Sequence, residues 1–458
     1  MDFQKEMLLE KASIALRRAE AMGVSQTEVR ISLARMALTR LANSIIDQNV
    51  AENRAQARVL LYLEKRKGSV SIEALDDESI IEAVESAVKM ARVAPEDKDF
   101  KSLPSPKPYS SSLTRENLVC QTTAEATPEE RAEFGMTAIQ TAHEVDKRIS
   151  TVAGAISNFL AETVIANSLG VEAYQASTSS NVNLTILGKD GVDESAGWAE
   201  NNQRDIRNLN IVKVAETAAG KAASSFGVKA LKPGEYEAIL EPASFAELGL
   251  FMIWIGFSAL AYQEYRSFLR DRIGERLFSE KLTLWDDALD NRFPVPQLFD
   301  DEGYPKSKLN LVDSGVVKNL VYDSYTAGKD DEVSTGHNTK MRGASAPFAG
   351  HLITLDGNSS LDEMIADAKK GILITHFHYT NPVDPTKGML TGLTRDGTWL
   401  VEKGEIKNPV GTLRFTDAIP RVLSEIDMIG KYPDLRNSSA IFPPVKVPSF
   451  RVTGSSQV

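Results

Sequence analysis

The feature that most constrains this chain is a run of sixteen residues without a charge, Leu248 to Gln263 (LGLFMIWIGFSALAYQ). A stretch that apolar must be removed from water, either in a bilayer or in a protein core. It falls short of the roughly 20 apolar residues that span a membrane. It also lacks aromatic and basic belts on both flanks. The run therefore predicts a buried core helix over 243–263, and no membrane partner.

Such a helix needs a large body around it. With 458 residues, the chain is too long for one small core and is expected to form two domains. Hydrophobic residues at 42% and charged residues at 25% can bury and solvate two units. The net charge of −11, from 63 acidic and 52 basic residues, argues against a broad nucleic-acid or anionic-membrane surface. Arg266, Arg270, Arg272 and Arg276 form a local basic patch that reads as a solvated face. Cys120 is the only cysteine, so no intrachain disulfide or Cys-rich zinc site can form, which fits a reducing, cytoplasmic location. The charged N-terminal segment reads as an amphipathic helix over 5–22 and has no signal-peptide core.

Periodicity then divides the chain. Strands are expected at 28–33, 36–48 and 55–63, a helix at 75–92, a Pro- and Ser-rich connection at 94–114 and a helix at 128–147. Strands follow at 150–160, 162–167 and 170–188, then a polar tract at 189–206 and a helix at 207–225. LKPGEYEAILEP (231–242) reads as a boundary and a strand entering a second unit. Beyond it, strands are expected at 309–313, 317–323, 371–379, 387–394, 399–403 and 405–413, helices at 360–370 and 416–429, and a loose tail after Pro448. No fixed-period repeat is present. The whole is an α+β layout: an N-terminal helix and antiparallel-sheet domain at 1–230, and a β-rich C-terminal domain at 231–458.

Chemistry is harder to find. His143-Glu144 opens like a helical zinc motif, but Val145 to Arg148 supply no second histidine. His376 and His378 alternate along a strand and point to one face, with Asp384 shortly after. They are the only metal candidates, and two ligands do not make a zinc site. His337 could complete them in space; hydrogen-bonded histidines lining a polar cleft are the reading favoured here. Asp396-Gly397, after Arg395, is a strong turn dipeptide, and Thr335 to Asn338 also suits a turn. His337, Asn338, His376, His378, Arg395 and Asp396 are accordingly the substrate-cleft candidates, with no catalytic residue assigned. No nucleophile elbow or phosphate loop is present.

The order of motifs over some 400 residues resembles the TldD/PmbA family. The carriers are AVESAVKMARVAPED, the hairpin around Ala166-Asn167-Ser168 and Gly170, and SFLRDRIGERLFSEKLTLWDD. They continue with Asp301, Glu302, Gly303, Gly315, Asp323 and Tyr325 in DDEGYPKSKLNLVDSGVVKNLVYDSYTA, then STGHN, then TGLTRDGTWLVEKGEIKNPV. The resemblance implies a pair of subunit types. A TldD-type subunit carries HExxxH and a distant cysteine on zinc, and a PmbA-type (TldE-like) subunit lacks them. Here Glu247 to Tyr262 stands where the zinc helix would be and holds no histidine; Leu250, Phe251 and Ile255 are apolar. Asn437 to Ala440 stands where the cysteine would be.

The chain thus resembles the PmbA-like branch. The resemblance implies a metallopeptidase-related subunit with no cofactor of its own and zinc in a TldD-type heterodimer partner, acting on unfolded or extended peptides. The alternatives are an independent metal-dependent hydrolase built on His376 and His378, or a homodimeric peptide-binding protein. The family's older label, a modulator of DNA gyrase, finds no support in so acidic a composition.

Overall fold

A computed structural model describes residues 3–111, 118–341 and 344–455. It is an α+β protein with three principal sheets. In the first, strands β1 (Gln26–Ala42), β2 (Ile45–Leu63), β3 (Arg66–Ile72), β4 (Ile149–Asn167), β5 (Glu172–Asp190) and β6 (Asp193–Gln203) run antiparallel in the order β3-β2-β1-β4-β5-β6. Helices α1 (Lys5–Ala21) and α2 (Asp77–Val93) cover one end of it, burying Leu8, Ala12, Val84 and Val88 against Val29, Ile31 and Val59. Helices α3 (Pro128–Val145) and α4 (Ile211–Ala223) cover the other end, around Leu41, Val152 and Ile156. The helix-facing residues Val29, Ile31 and Leu41 share one parity along β1, so both helix pairs lie on one face.

Several expectations are corrected here. The piece predicted at 28–33 and most of that at 36–48 are one strand, β1, the latter running on through the turn at Asn43-Ser44 into β2, and those on either side of Ala161 are one strand, β4. Polar and exposed side chains interrupt the hydrophobic pattern in mid-strand, where helices cover the face less closely, while the backbone ladder continues. The polar tract 189–206 contains β6: its Asn202 side chain accepts from Asn181 at 2.9 Å, so amide pairing replaces apolar burial as the sign of a strand.

In the second unit, β7 (Gly234–Leu240), β14 (Lys370–Asp384), β15 (Met389–Glu402), β17 (Leu413–Ala418) and β21 (Val445–Ser455) close into a ring in the order β14-β7-β21-β17-β15, with β15 pairing back to β14. β16 (Glu405–Pro409) and β18 (Met428–Ile429) attach outside the ring. A separate sheet has the order β10-β9-β8-β13-β20-β19, from β8 (Leu284–Asp286), β9 (Leu309–Asp313), β10 (Val316–Val317), β13 (Leu352–Thr354), β19 (Asp434–Arg436) and β20 (Ala440–Phe442). A hairpin of β11 (Asn338–Met341) and β12 (Ala344–Pro347) stands alone.

The expected loose tail is β21, with Phe450 and Val452 buried, because β7 and β17 would otherwise expose unpaired edges. The expected strand 317–323 shrinks to β10 plus one bridge from Val321 to Ser258. The expected helix 416–429 begins as β17 and becomes helical only over Ile419–Ser424.

The uncharged run is helical but broken. Helix α5 (Pro242–Met252) passes into a π turn over Ile253–Phe257, Ser258 is extended, and a last turn spans Ala259–Gln263. The break lets Ser258 bridge to Val321 and brings Gly256 against the Phe268 ring, where a Cβ would not fit. It also leaves Trp254 exposed, so the run is not wholly core. No helix among the described residues is long and apolar enough to cross a membrane.

Close packing gives a test. A Cβ at Gly68, on β3, would overlap the carbonyl oxygen of Ala87 on α2, whereas one at Gly220, on α4, meets nothing within 4 Å. Gly68→Ala is expected to cost about 1–3 kcal/mol through overpacking. Gly220→Ala is expected to stabilise by about 0.5–1 kcal/mol, as a helical glycine replaced by alanine. Urea unfolding of both variants measures the contrast.

Candidate functional site

The structure divides the six cleft candidates between two places. His376 and His378 lie on β14, opposite Arg395 and Leu393 of β15. Asp396 (φ 51°) and Gly397 (φ 126°) are not a hairpin turn. They form a bulge in β15, between the pairs His376–Arg395 and Ile374–Thr398. The bulge turns the Asp396 carboxylate onto His376 Nε2 at 3.0 Å, while His376 Nδ1 lies 3.1 Å from the Phe377 carbonyl. Both ring nitrogens of His376 therefore face protein oxygens. His378 Nε2 accepts from Arg395 Nη1 at 2.6 Å, and burial and the Arg395 charge push the His378 pKa down. Asp384 caps the turn after β14 and pairs with Lys387 at 2.9 Å.

Two residues that periodicity did not single out complete this group. Trp198, from β6 of the first sheet, lies with its ring 4.6 Å from that of His376. Glu247, on α5, is largely buried; burial raises its carboxyl pKa, and Thr380 and His376 pull it back. An aromatic inside the polar tract 189–206 was the available signal for Trp198. Nothing local in the sequence marks Glu247, because its surroundings come from β14.

His337 and Asn338 belong to a different, buried polar network. His337 is fully buried, with Nε2 3.1 Å from Asp286 and Nδ1 2.8 Å from the Thr335 hydroxyl. Burial drives the His337 pKa down, and the Lys306 charge adds to that. The backbone N–H of His351 donates to Asp286 at 2.8 Å. Asn338 donates its backbone N–H to Asp300 and its side-chain amide to Asp323. Asp300 is pushed up to about 7 by burial, and Glu302 is raised well above the usual carboxylate range by burial and by Asp300 and Asp323. His337 therefore does not join His376 and His378.

The zinc position implied by resemblance can be tested on donors. Helix α5 packs on β19 and β20, so tertiary structure brings the histidine-free helix beside Asn437–Ala440. Flanking them, the rings of Phe245, just before the first segment, and Phe442, just after the second, lie 4.9 Å apart, and a Cβ on Gly249 would come within 2.6 Å of Phe442. Leu250, Phe251 and Ile255 pack in or against the hydrophobic core. Asn437 and Ser438 turn away to Glu200 and Asn202 of β6. Among the described residues no three His, Cys, Asp or Glu side chains are grouped to hold a metal ion. The side chains at this position do not fit zinc.

The class of protein follows from its two domains, which match metallopeptidase-family domains. Residues 122–226 match the model of the PmbA/TldA metallopeptidase central domain, and residues 233–454 that of its C-terminal domain; the chain belongs to the PmbA/TldD family. It is 27% identical to the metalloprotease PmbA homolog of Buchnera aphidicola over 304 residues, 65% of this chain and just under two thirds (64%) of that protein. It is 24% identical to metalloprotease PmbA of Escherichia coli O157:H7 over 85% of this chain and 84% of that one, and TldD homologs are also among its relatives. TldE from Thermococcus kodakarensis shares the fold, with a TM-score of 0.88 at 24% identity over 97% of this chain and all of that one.

The buried His351 offers a test of the network. Burial pushes its pKa down to about 4, below the roughly 6.5 of an unfolded histidine. With the folded value depressed, the unfolded chain binds the extra proton between these pH values, so this group's contribution falls as pH drops from about 6.5 to about 4. The loss is on the order of 3 kcal/mol. The raised Asp300 and Glu302 act with the opposite sign. The measurement is therefore the difference in urea stability between wild type and His351→Gln at pH 7 and pH 5; equal pH slopes would contradict the assignment.

Proposed function

We propose that this chain is the PmbA-type, non-metal-binding subunit of a two-subunit peptidase, paired with a TldD-type zinc subunit and helping to hold unfolded or extended peptides. One observation supports the reading: the helix that resemblance assigns to zinc holds no histidine, its Ile255 is buried in the core of the second unit with Leu250 and Phe251 packed against it, and its Gly249 abuts the Phe442 ring just beyond the loop. Zinc would then be the partner's, and bond cleavage would occur there. The occurrence of TldD homologs among the relatives supports two subunit types, and the lone Cys120 suits a cytosolic assembly.

Peptide holding would use backbone pairing, which gives affinity with little sequence selectivity. The ring of β14, β7, β21, β17 and β15 is closed and offers no edge. The first sheet does offer one: β3 pairs only with residues 57–63 of β2, so the outer edge of residues 45–56 has no strand partner among the described residues. The alternative of an independent hydrolase on His376 and His378 is supported less, since His337 lies apart and both His376 nitrogens face protein oxygens.

Purified alone, the chain is expected to hold no stoichiometric zinc and not to hydrolyse unfolded casein. Mixed with a TldD-type subunit, it should form a stable complex with higher activity than either chain. Metal analysis, size-exclusion chromatography and a casein assay make the test. One equivalent of tightly bound zinc together with hydrolysis by the isolated chain would overturn the proposal.

A further inference from the structure

Three carboxyl groups are buried in one network where β11 meets residues 300–302 and the helix Ser324–Asp330. Asp300, Glu302 and Asp323 are 3%, 6% and 2% exposed. Only neutral donors serve them. Asp300 accepts from the backbone N–H groups of Glu302 at 3.1 Å, Tyr304 at 2.9 Å and Asn338 at 2.9 Å. Glu302 accepts from the Ser324 N–H at 2.7 Å. Asp323 accepts from Thr326 and, at 3.2 Å, from the Asn338 side-chain amide. Among the described residues none of the three forms an ion pair, and two nearby cations are used elsewhere: Lys340 by Glu28, and Arg30 by Asp301 at 3.6 Å. Lys306 attracts Asp300 without pairing with it.

Carboxylates buried together without a counter-ion cannot all ionise, so the cluster retains a proton that isolated carboxylates would have lost. The raised pKa values of Asp300 and Glu302 agree with this. The cluster also borders a way in for water. A cavity of about 270 Å³ lies between the first sheet and the second unit, with Glu302, Asp323 and Asn338 in its wall. The other ionisable groups around it are Glu28, Tyr62, Lys67, Asp97, Tyr325 and Lys340. On the far side of Asn338 along the chain, His337 keeps to Asp286. β11 spans this seam: Asn338 is held by the cluster, while Lys340 donates its Nζ to Glu28 of β1 and its N–H to Asp301 at 2.8 Å.

We infer that Asp300, Glu302 and Asp323 form a proton-held latch on β11: while they share a proton the seam between the two units is closed, and loss of that proton at alkaline pH loosens β11 and lets water into the cavity. The inference goes beyond the peptidase reading and does not depend on it. The sign follows from linkage. With folded values raised above those of an unfolded carboxyl, the stability these groups lend falls as pH rises from about 4 through the folded values, about 7 for Asp300 and raised likewise for Glu302.

Hydrogen–deuterium exchange of the full chain at pH 6 and pH 9, read by mass spectrometry and corrected for the intrinsic rate, tests it. Peptides containing Ser324 and Asn338, whose N–H groups donate to Glu302 and Asp300, should lose at least about tenfold in protection at pH 9 relative to β4 and β5. Glu302→Gln keeps an oxygen for the Ser324 N–H but cannot ionise. It should retain the protection seen at pH 6 and cut the loss at pH 9 to less than about threefold. Circular dichroism checks that the variant folds. If it does not, Asp323→Asn decides: it removes one charge, and the Asn338 amide can turn over to meet it, because Asn338 Oδ1 has no partner at present. It too should cut the loss. An undiminished loss in the folded variant would overturn the inference. So would equal protection of the wild type at both pH values, or a loss shared equally by β4 and β5, which would mark global unfolding.

Discussion

The hydrogen bonds that seat β7 between β14 and β21 hold the rest of the second unit in place. β7 runs parallel to β14 from Glu237 to Leu240 and antiparallel to β21, and without it the strand ring stays open. Helix α5 starts directly after this strand, its first N–H groups oriented by the same ladder: Glu241 N donates to the Ile374 carbonyl at 3.0 Å, and the Ser244 hydroxyl to the same oxygen at 3.1 Å. His376 follows Ile374 by two residues. The uncharged helix and the histidine strand are thus tied at one point, which is why Glu247 comes to lie beside His376.

Around that frame, polar groups are divided by burial. The Asp286–His337–His351 group is sealed, and each member is held by hydrogen bonds from separate segments, as a buried carboxylate requires. The His376–Asp396–Arg395–His378 group lies at a surface, beneath a tryptophan from the other sheet system. The first arrangement serves the fold. The second is placed where a ligand could reach it.

The contact of Phe245, Gly249 and Phe442 connects these observations to function. A zinc helix needs inward-facing nitrogen or sulfur donors, and aromatic rings in their place contribute packing instead.

How much of this was legible depended on the range of the interaction. α2 and the strands around 55–63 and 172–188 were readable because their periodicity is local. From sequence the bulge at Asp396 reads as a turn because both use a left-handed Asp-Gly pair, and only the continued pairing of β15 separates them. β21 is hard to read because its partner β7 lies over two hundred residues away, and β6 because polar side chains mask its pattern although β5 directly precedes it. By itself, the sequence determined the α+β class, the family resemblance and the absence of histidine from the uncharged helix, since these reside in residue order and composition. Only the tertiary structure decided that the helix breaks at Ile253 and that His337 parts from His376. Those outcomes follow from which distant backbones close the strand ring.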